Sequence, residues 1–376
     1  MKVLYFSRDY TPHDRRFLSA LADSPHQIAF LQLERNGRVL ESQPLPGGVD
    51  LINWCGGKKP ALLRDAPCLL SDLARVIRDV NPDVIHAGPV QSAALLTALN
   101  GFQPLVTMSW GSDILKDATR SIWMRWATRF TLRRTTVFLG DCQAVQDRAV
   151  SMGFPTERII QFPWGVDLSH FSPGSSQIRS QLGWTADNFV VLSMRSWEPI
   201  YGVDVLVRGF ALATQTFPQL RLLLLGQGSQ EAHLRKIIFE SRIEDKVHFA
   251  GTVSHLNLPD YYRAADLYTS ASYSDGSSIS LLEALACGLP VLLSDIPANC
   301  EWVMPGEQGW FFPAGNDQAI ARGIRSAVDQ RMWLSKMGRA SRKIAEERAD
   351  WRHNFQRLLD AYDLAIELRQ KPRVSG

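Results

Sequence analysis

Hydrophobic residues along this chain fall in short continuous runs rather than in strict alternation. The first half carries Val3–Ser7, Ile28–Leu33, Asp83–His86, Leu105–Ser109 and Val137–Gly140; the second carries Val190–Ser193, Leu222–Gly226, Val247–Ala250, Leu267–Ser270 and Val291–Ser294. Unbroken apolar runs of this length predict strands covered on both faces, as in a parallel sheet. Helix-patterned stretches separate them from end to end, so the expected class is α/β with doubly wound layers. Between the two series, Pro163–Asp187 collects Pro163, Gly165, Pro173, Gly174, Ser175 and Ser176, the composition of a linker. Asp350–Leu368 sets Phe355, Leu358, Leu359, Tyr362 and Ile366 at helical spacing and reads as one amphipathic helix.

A chain of 376 residues is too long for one ordinary core. The expected division is a first Rossmann-like domain over 1–165, a linker over 166–187, a second Rossmann-like domain over 188–350, and a C-terminal helix and tail over 351–376. Open α/β sheets bind ligands at the carboxyl ends of their strands, and two such domains facing one another would form a deep cleft.

Composition narrows the chemistry. A net charge of +3 argues against nucleic acid as the main partner. Residues 1–167 hold 19 basic and 16 acidic side chains against 22 of each in the remainder, a small excess that favours an anionic partner on the first half. Cys55, Cys68, Cys142, Cys287 and Cys300 are scattered without CxxC or Cys/His spacing, which argues against a disulfide framework or zinc site and fits a reducing, cytoplasmic compartment. No apolar run is long enough for a signal peptide or a bilayer span.

The most informative stretch is Ser270–Asp295. Gly276 permits a tight turn, and Ser277 or Ser278 can cap a helix whose first N–H groups form an anion site. Asp275 stands just before that start, and Glu283, seven positions beyond Gly276, interrupts an apolar sequence in which an ionised carboxylate is expensive unless something binds it. Carboxylate, anion-binding terminus and carboxylate follow the order of sugar, diphosphate and ribose in a nucleotide sugar. The plainer alternative is that Asp275 only caps the helix and Glu283 pairs with an arginine.

Asp275 and Glu283 with seven residues between them, followed by Ala284-Leu285-Ala286-Cys287-Gly288-Leu289-Pro290-Val291, resemble the retaining GT-B glycosyltransferases of family four. Leu225-Gly226-Gln227-Gly228, Val247-His248-Phe249-Ala250-Gly251-Thr252-Val253, Asp260-Tyr261-Tyr262-Arg263-Ala264-Ala265-Asp266, and Gly165-Val166-Asp167 before Phe171 extend the likeness over nearly the whole chain. The resemblance implies a GT-B architecture, with the acceptor side in the first domain, the donor side in the second, and the C-terminal helix crossing back to the first. It implies that sugar passes from a UDP- or GDP-sugar to a glycan, lipid-linked or small-molecule acceptor, with retention and no metal or other cofactor, as in polysaccharide, glycolipid or glycoconjugate synthesis. By position, Glu283 resembles the ribose-binding carboxylate and Asp275 the acid near the donor sugar. Gly276, Ser277 and Ser278 would offer N–H groups to the diphosphate, and Thr252 and Val253 would lie beside the base. Arg195 matches the arginine that neutralises the departing diphosphate, a task suited to a permanently charged planar fork. An epimerase or phosphorylase of the same fold, or a non-catalytic nucleotide-sugar binder, are the alternative readings.

Three positions depart from the family pattern. Asp275 is one methylene shorter than the usual Glu, Tyr201 stands before Gly202 where the family has lysine, and Trp110-Gly111-Ser112-Asp113 replaces His-Gly-x-Asp. Tyr201 can hydrogen-bond a phosphate but brings no charge, while Trp110 can stack on a sugar or fill the core. In the loop after the first strand, His13, Arg15 and Arg16 are candidates for phosphate or acceptor, or simply for a solvated helix start. His86 ends a strand and could reach the cleft, but a satisfied buried histidine is the commoner outcome. Arg120–Arg134 mixes arginines with Ile122, Trp123, Trp126 and Phe130. Such a helix can contact anionic membrane at the inner face of the cell, but its apolar arc is not cleanly separated from the arginines, which favours an ordinary packed helix with snorkelling arginines.

Overall fold

The structure, a computed structural model, describes residues 1–35, 41 and 43–370; the expected tail beyond residue 370 lies outside them. The chain forms two compact units, Met1–Phe162 with the chain from Phe355, and Pro163–Asn354. In the first unit the strands are β1 (Lys2–Ser7), β2 (Gln27–Gln32), β3 (Val49–Leu51), β4 (Val84–Gly88), β5 (Leu105–Met108), β6 (Val137–Gly140) and β7 (Ile159–Gln161). They pair in parallel in the order β3-β2-β1-β4-β5-β6-β7. The second unit holds β8 (Phe189–Met194), β9 (Leu220–Leu225), β10 (Val247–Gly251), β11 (Leu267–Ser270), β12 (Val291–Ser294) and β13 (Gly309–Phe312). These pair in parallel as β10-β9-β8-β11-β12-β13.

Both sheets are doubly wound, each with one point at which the strand order reverses: between β1 and β4, and between β8 and β11. The apolar runs account for every interior strand. The three strands they do not predict, β3, β7 and β13, all lie at sheet edges, where one flank has no neighbour and a continuous apolar run is not required. Val49–Leu51 is partly to fully exposed, and Ile159–Gln161 is half-buried.

The Pro-, Gly- and Ser-rich stretch expected as a linker packs into the second unit, where Val166 and Phe171 join the core formed by Val190, Leu192, Tyr262 and Leu285. Asp350 bridges back to Val166. From there the helix Trp351–Gln370 runs on, and from Phe355 it belongs to the first unit, with Leu358, Ala361, Tyr362 and Ala365 buried at helical spacing.

His86, on β4, is 1% exposed and shares a 2.7 Å hydrogen bond between Nδ1 and the Tyr362 hydroxyl, with the Tyr5 ring edge-on at 4.7 Å. Burial pushes its pKa from 6.5 down to about 3. The unfolded chain therefore takes up a proton that the folded chain refuses. The contribution of neutral His86 is full above pH 6.5 and is lost as pH falls towards about 3. Asp14, raised by burial from 3.8 to about 6, works in the opposite sense: its contribution is full below 3.8 and lost as pH rises through about 6. His86→Gln should flatten only the acid-side loss. Urea denaturation of wild type and variant across this window measures it, and parallel curves would remove His86 as a cause.

Candidate active site

The reversal between β8 and β11 sets the site. β8 leads toward β9 and β10 on one side and β11 toward β12 and β13 on the other, so the loops leaving their carboxyl ends diverge around a crevice. Glycine allows the walls to close up. A Cβ on Gly202, which has φ of +59°, would lie 2.4 Å from the Ala271 carbonyl oxygen; one on Gly228 would lie 2.4 Å from that of Trp197. Backbone bonds then tie the loops together: the Trp197 N–H donates to the Gln227 carbonyl at 2.9 Å, and the Tyr273 N–H to the Ile200 carbonyl at 2.9 Å.

Arg195, immediately after β8, reaches into this crevice. One guanidinium nitrogen donates to Asp275 Oδ2 at 2.6 Å, an ion pair whose side chains are only 10% and 18% exposed. A second donates to the hydroxyls of Ser278 and Ser280, the latter at 3.2 Å. The Tyr201 ring lies beneath the guanidinium carbon at 4.2 Å, a cation–π contact strengthened by desolvation. Burial opposes the Arg195 charge, but Asp275, with smaller contributions from Tyr201, Tyr268 and Tyr262, holds its pKa above the ordinary guanidinium value. Burial raises the Asp275 pKa, and Arg195 and the Gly276 N–H, which donates to Oδ1 at 3.1 Å, pull it back.

The helix after the turn spans Ile279–Ala286, with Ser278 at its cap position. The Ser278 hydroxyl makes no capping bond to that helix; it accepts from Arg195 and pairs with Ser280 at 3.1 Å. Ser277 is buried and accepts from the indole N–H of Trp302 at 3.3 Å. Because the helix starts at Ile279, Glu283 lies one turn inside it. It is 5% exposed, and the Tyr262 hydroxyl donates to its Oε2 at 2.7 Å. Thr252 and Val253 follow β10, the edge strand, at the same carboxyl side of the sheet; Thr252 is exposed and Val253 packs partly into the core.

In the first unit, His13 and Trp110 come together, with ring centroids 5.7 Å apart. Arg15 and Arg16 are half-buried in the first turns of the helix Pro12–Ala22. Asp113 is buried and accepts from the Ser109 hydroxyl at 2.6 Å, the Trp110 N–H at 3.0 Å and the Val90 N–H at 3.0 Å. It therefore organises the turn that carries Gly111, the residue before the short helix Ser112–Leu115.

Ser280, Tyr262, Tyr268 and Trp302 are site residues that sequence reasoning passed over. Tyr268 is fully buried on β11 with its hydroxyl 2.7 Å from Ser280 Oγ. The available signal was chemical: a Tyr inside an apolar strand needs a partner for its hydroxyl, and a nearby serine can supply one. Among the described residues no group of three or more His, Cys, Asp or Glu side chains is placed to hold a metal ion.

Comparison with known proteins bears on this geometry. The profile of group 1 glycosyl transferases matches residues 175–344, the segment that contains the Arg195 cluster, and the glycosyl transferase 4-like profile matches residues 2–141. The chain belongs to the family 4-type glycosyltransferases. Its fold is GT-B: HepE of Anabaena, in complex with UDP and glucose, is similar over 96% of this chain and 99% of its own (TM-score 0.81, 22% identity). Sucrose-phosphate synthase of Thermosynechococcus elongatus is similar over 96% of this chain and 98% of its own (TM-score 0.80, 19% identity). Among curated relatives, the D-inositol 3-phosphate glycosyltransferase of Pseudarthrobacter chlorophenolicus is 29% identical over 57% of this chain and 52% of its own length. That of Kineococcus radiotolerans is 30% identical over 59% and 55%. The chain thus spans about half the length of these relatives.

In this member of the family the ion pair should be visible in stability. Arg195→Met leaves Asp275 without its counter-charge and should cost on the order of 3 kcal/mol. Tyr201→Phe keeps the ring beneath the guanidinium and should cost far less. Chemical denaturation of the two variants measures the difference, and equal losses would refute the network as described.

Proposed function

We propose that the protein transfers a sugar from a nucleoside-diphosphate donor to an acceptor, with retention of the anomeric configuration and without a metal ion. The observation that carries this reading is the Arg195 guanidinium held at the β8–β11 reversal beside the start of the helix Ile279–Ala286. A fixed cation and the N–H groups at a helix N-terminus together suit a diphosphate. Negative charge on that group grows as the sugar leaves, so a preorganised cation lowers the barrier more than it tightens ground-state binding. Asp275, at the entrance of the same turn, suits the sugar hydroxyls, and Glu283 suits the ribose. Thr252 and Val253 suit the base.

The names of the similar proteins point the same way. HepE was captured with UDP, and the D-inositol 3-phosphate enzymes transfer sugar to a phosphorylated polyol. Uridine is therefore the first base to test, with guanosine as its competitor, and glycan, lipid-linked and small-molecule acceptors form the panel. The five free cysteines suit a cytoplasmic setting, and no helix among the described residues is long and apolar enough to cross a membrane.

Two experiments test the reading. Glu283→Gln should weaken binding of both donor and free nucleoside diphosphate by about 1.5–3 kcal/mol, the worth of a charge-assisted hydrogen bond. Calorimetric titration with UDP and GDP reads this, and unchanged affinity in a folded variant removes Glu283 from the site. Transfer itself should survive EDTA and deliver the donor's own anomer, read by NMR of the first-formed product. An inverted anomer, or activity abolished by EDTA and restored by Mn²⁺, overturns the mechanism.

A further inference from the structure

The helix Ile122–Arg134 buries mostly small residues, with Leu132, and exposes Ile122, Trp123 and Trp126. Its inward face is Ala127, Thr128, Thr131 and Leu132. Thr128 donates to the Met124 carbonyl at 2.7 Å and accepts from Gln91 Nε2 at 2.8 Å. Outward stand Ile122, 90% exposed, and Trp123 and Trp126, each nearly half exposed. The packed arrangement favoured by the sequence pattern therefore does not hold for these side chains.

The outward rings are ordered. Trp123 stacks on Trp126 at 4.8 Å, and Trp126 on Phe130 at 5.3 Å. Around them lie Arg120, Arg125, Arg129, Arg133 and Arg134, all exposed, with no acidic residue anywhere in 118–134. Elsewhere on the surface, Arg75, Arg235 and Arg342 pair with carboxylates on their own helices. None of these five does so among the described residues.

We propose that this helix docks the protein on an anionic lipid bilayer, with Ile122, Trp123 and Trp126 entering the headgroup region and the arginines engaging lipid phosphates. An apolar patch rimmed by same-sign charge is what an interfacial helix presents. Indole suits that depth because it is apolar with one polar edge. Basic side chains gain from the negative surface potential of anionic leaflets. A glycan platform is disfavoured, because the rings turn their faces to one another and offer mainly edges outward. A two-fold contact between copies is disfavoured because it would set five arginines against five. The inference is independent of the sugar-transfer reading, since nucleotide binding in solution and vesicle binding are separate measurements.

The test is co-sedimentation of the full chain with phosphatidylcholine vesicles, with and without phosphatidylglycerol, across a salt series. Binding should require phosphatidylglycerol and fall with added salt. Trp123→Ser with Trp126→Ser should release the protein. Arg125→Gln with Arg129→Gln should weaken partition by roughly tenfold or more. All four side chains are exposed, so both double variants should keep the wild-type unfolding midpoint, which verifies that they fold. Four outcomes would overturn the proposal: equal binding to neutral vesicles, salt-insensitive sedimentation, unaltered binding by both variants, or a dimer in analytical ultracentrifugation that the Trp variants dissolve. Heparin binding that phosphatidylglycerol vesicles fail to displace would assign the face to a soluble polyanion instead.

Discussion

A guanidinium nearly removed from water must be paired and hydrogen-bonded or the fold pays several kcal/mol for it. Arg195 meets that requirement at its two terminal nitrogens and its ring contact, with groups from three separate segments: Tyr201 on its own loop, Asp275 on the turn after β11, and Ser278 and Ser280 around the start of the following helix; its Nε has no hydrogen-bond partner among the described residues. Those segments can converge only if their backbones nearly touch, and this is where Gly202, against the Ala271 carbonyl, becomes obligatory. The loop geometry of the second unit thus follows from accommodating one buried cation.

The same cation explains how a tyrosine can stand where the family has lysine. A lysine at position 201 would bring a second positive charge close to Arg195, tolerable when an anion lies between them and repulsive otherwise. The aromatic ring instead orients the guanidinium plane at 4.2 Å without adding charge. Asp275 then compensates the Arg195 charge at 2.6 Å with a side chain one methylene shorter than glutamate. On the proposed function, a diphosphate at this helix terminus would have to share Arg195 with Asp275, so binding would be weaker and more salt-sensitive than at a site with two unpaired cations. On the proposed function the exchange would have a compensating effect: an Arg195 that turned to the phosphate would free Asp275 to accept hydrogen bonds from sugar hydroxyls.

The sequence carried the fold well because buried parallel strands are marked by their composition, and every interior strand followed from its apolar run. Val49–Leu51 and Ile159–Gln161 are edge strands of only three residues, too short to leave such a mark, whereas Gly309–Phe312 carries three consecutive aromatics that the pattern reading passed over. At the site, the acidic spacing, the turn glycine and Arg195 were legible because each is a chemical oddity in its setting: a carboxylate in an apolar helix, a glycine before a cap, an arginine ending a buried strand. Hydrogen-bond partnerships were not. That Ser278 would face Arg195 rather than cap its own helix depends on contacts across more than eighty residues of chain, which no local pattern encodes. The folding of Pro163–Asp187 into the second core was hidden for a related reason, since a Pro/Gly-rich stretch that packs has the same composition as one that does not.

The helix Ile122–Arg134 shows the limit of periodicity in another way. Its large apolar residues and its small ones both recur at helical spacing, so the pattern alone defines two possible inward faces. The neighbour decides between them. This helix packs against Ala93–Asn100, and Gln91, just before that helix, donates to Thr128. Small residues at 127, 128 and 131 let two helices approach closely and satisfy that amide, whereas an inward Trp123 or Trp126 would hold them apart and leave the Gln91 donor without its threonine. Close packing of small side chains recovers dispersion energy along the whole contact, and the bulky residues are displaced outward as a consequence. The exposed tryptophans are then the product of a well-packed inner face, and their mutual stacking limits how much apolar surface they present to water until something else covers it.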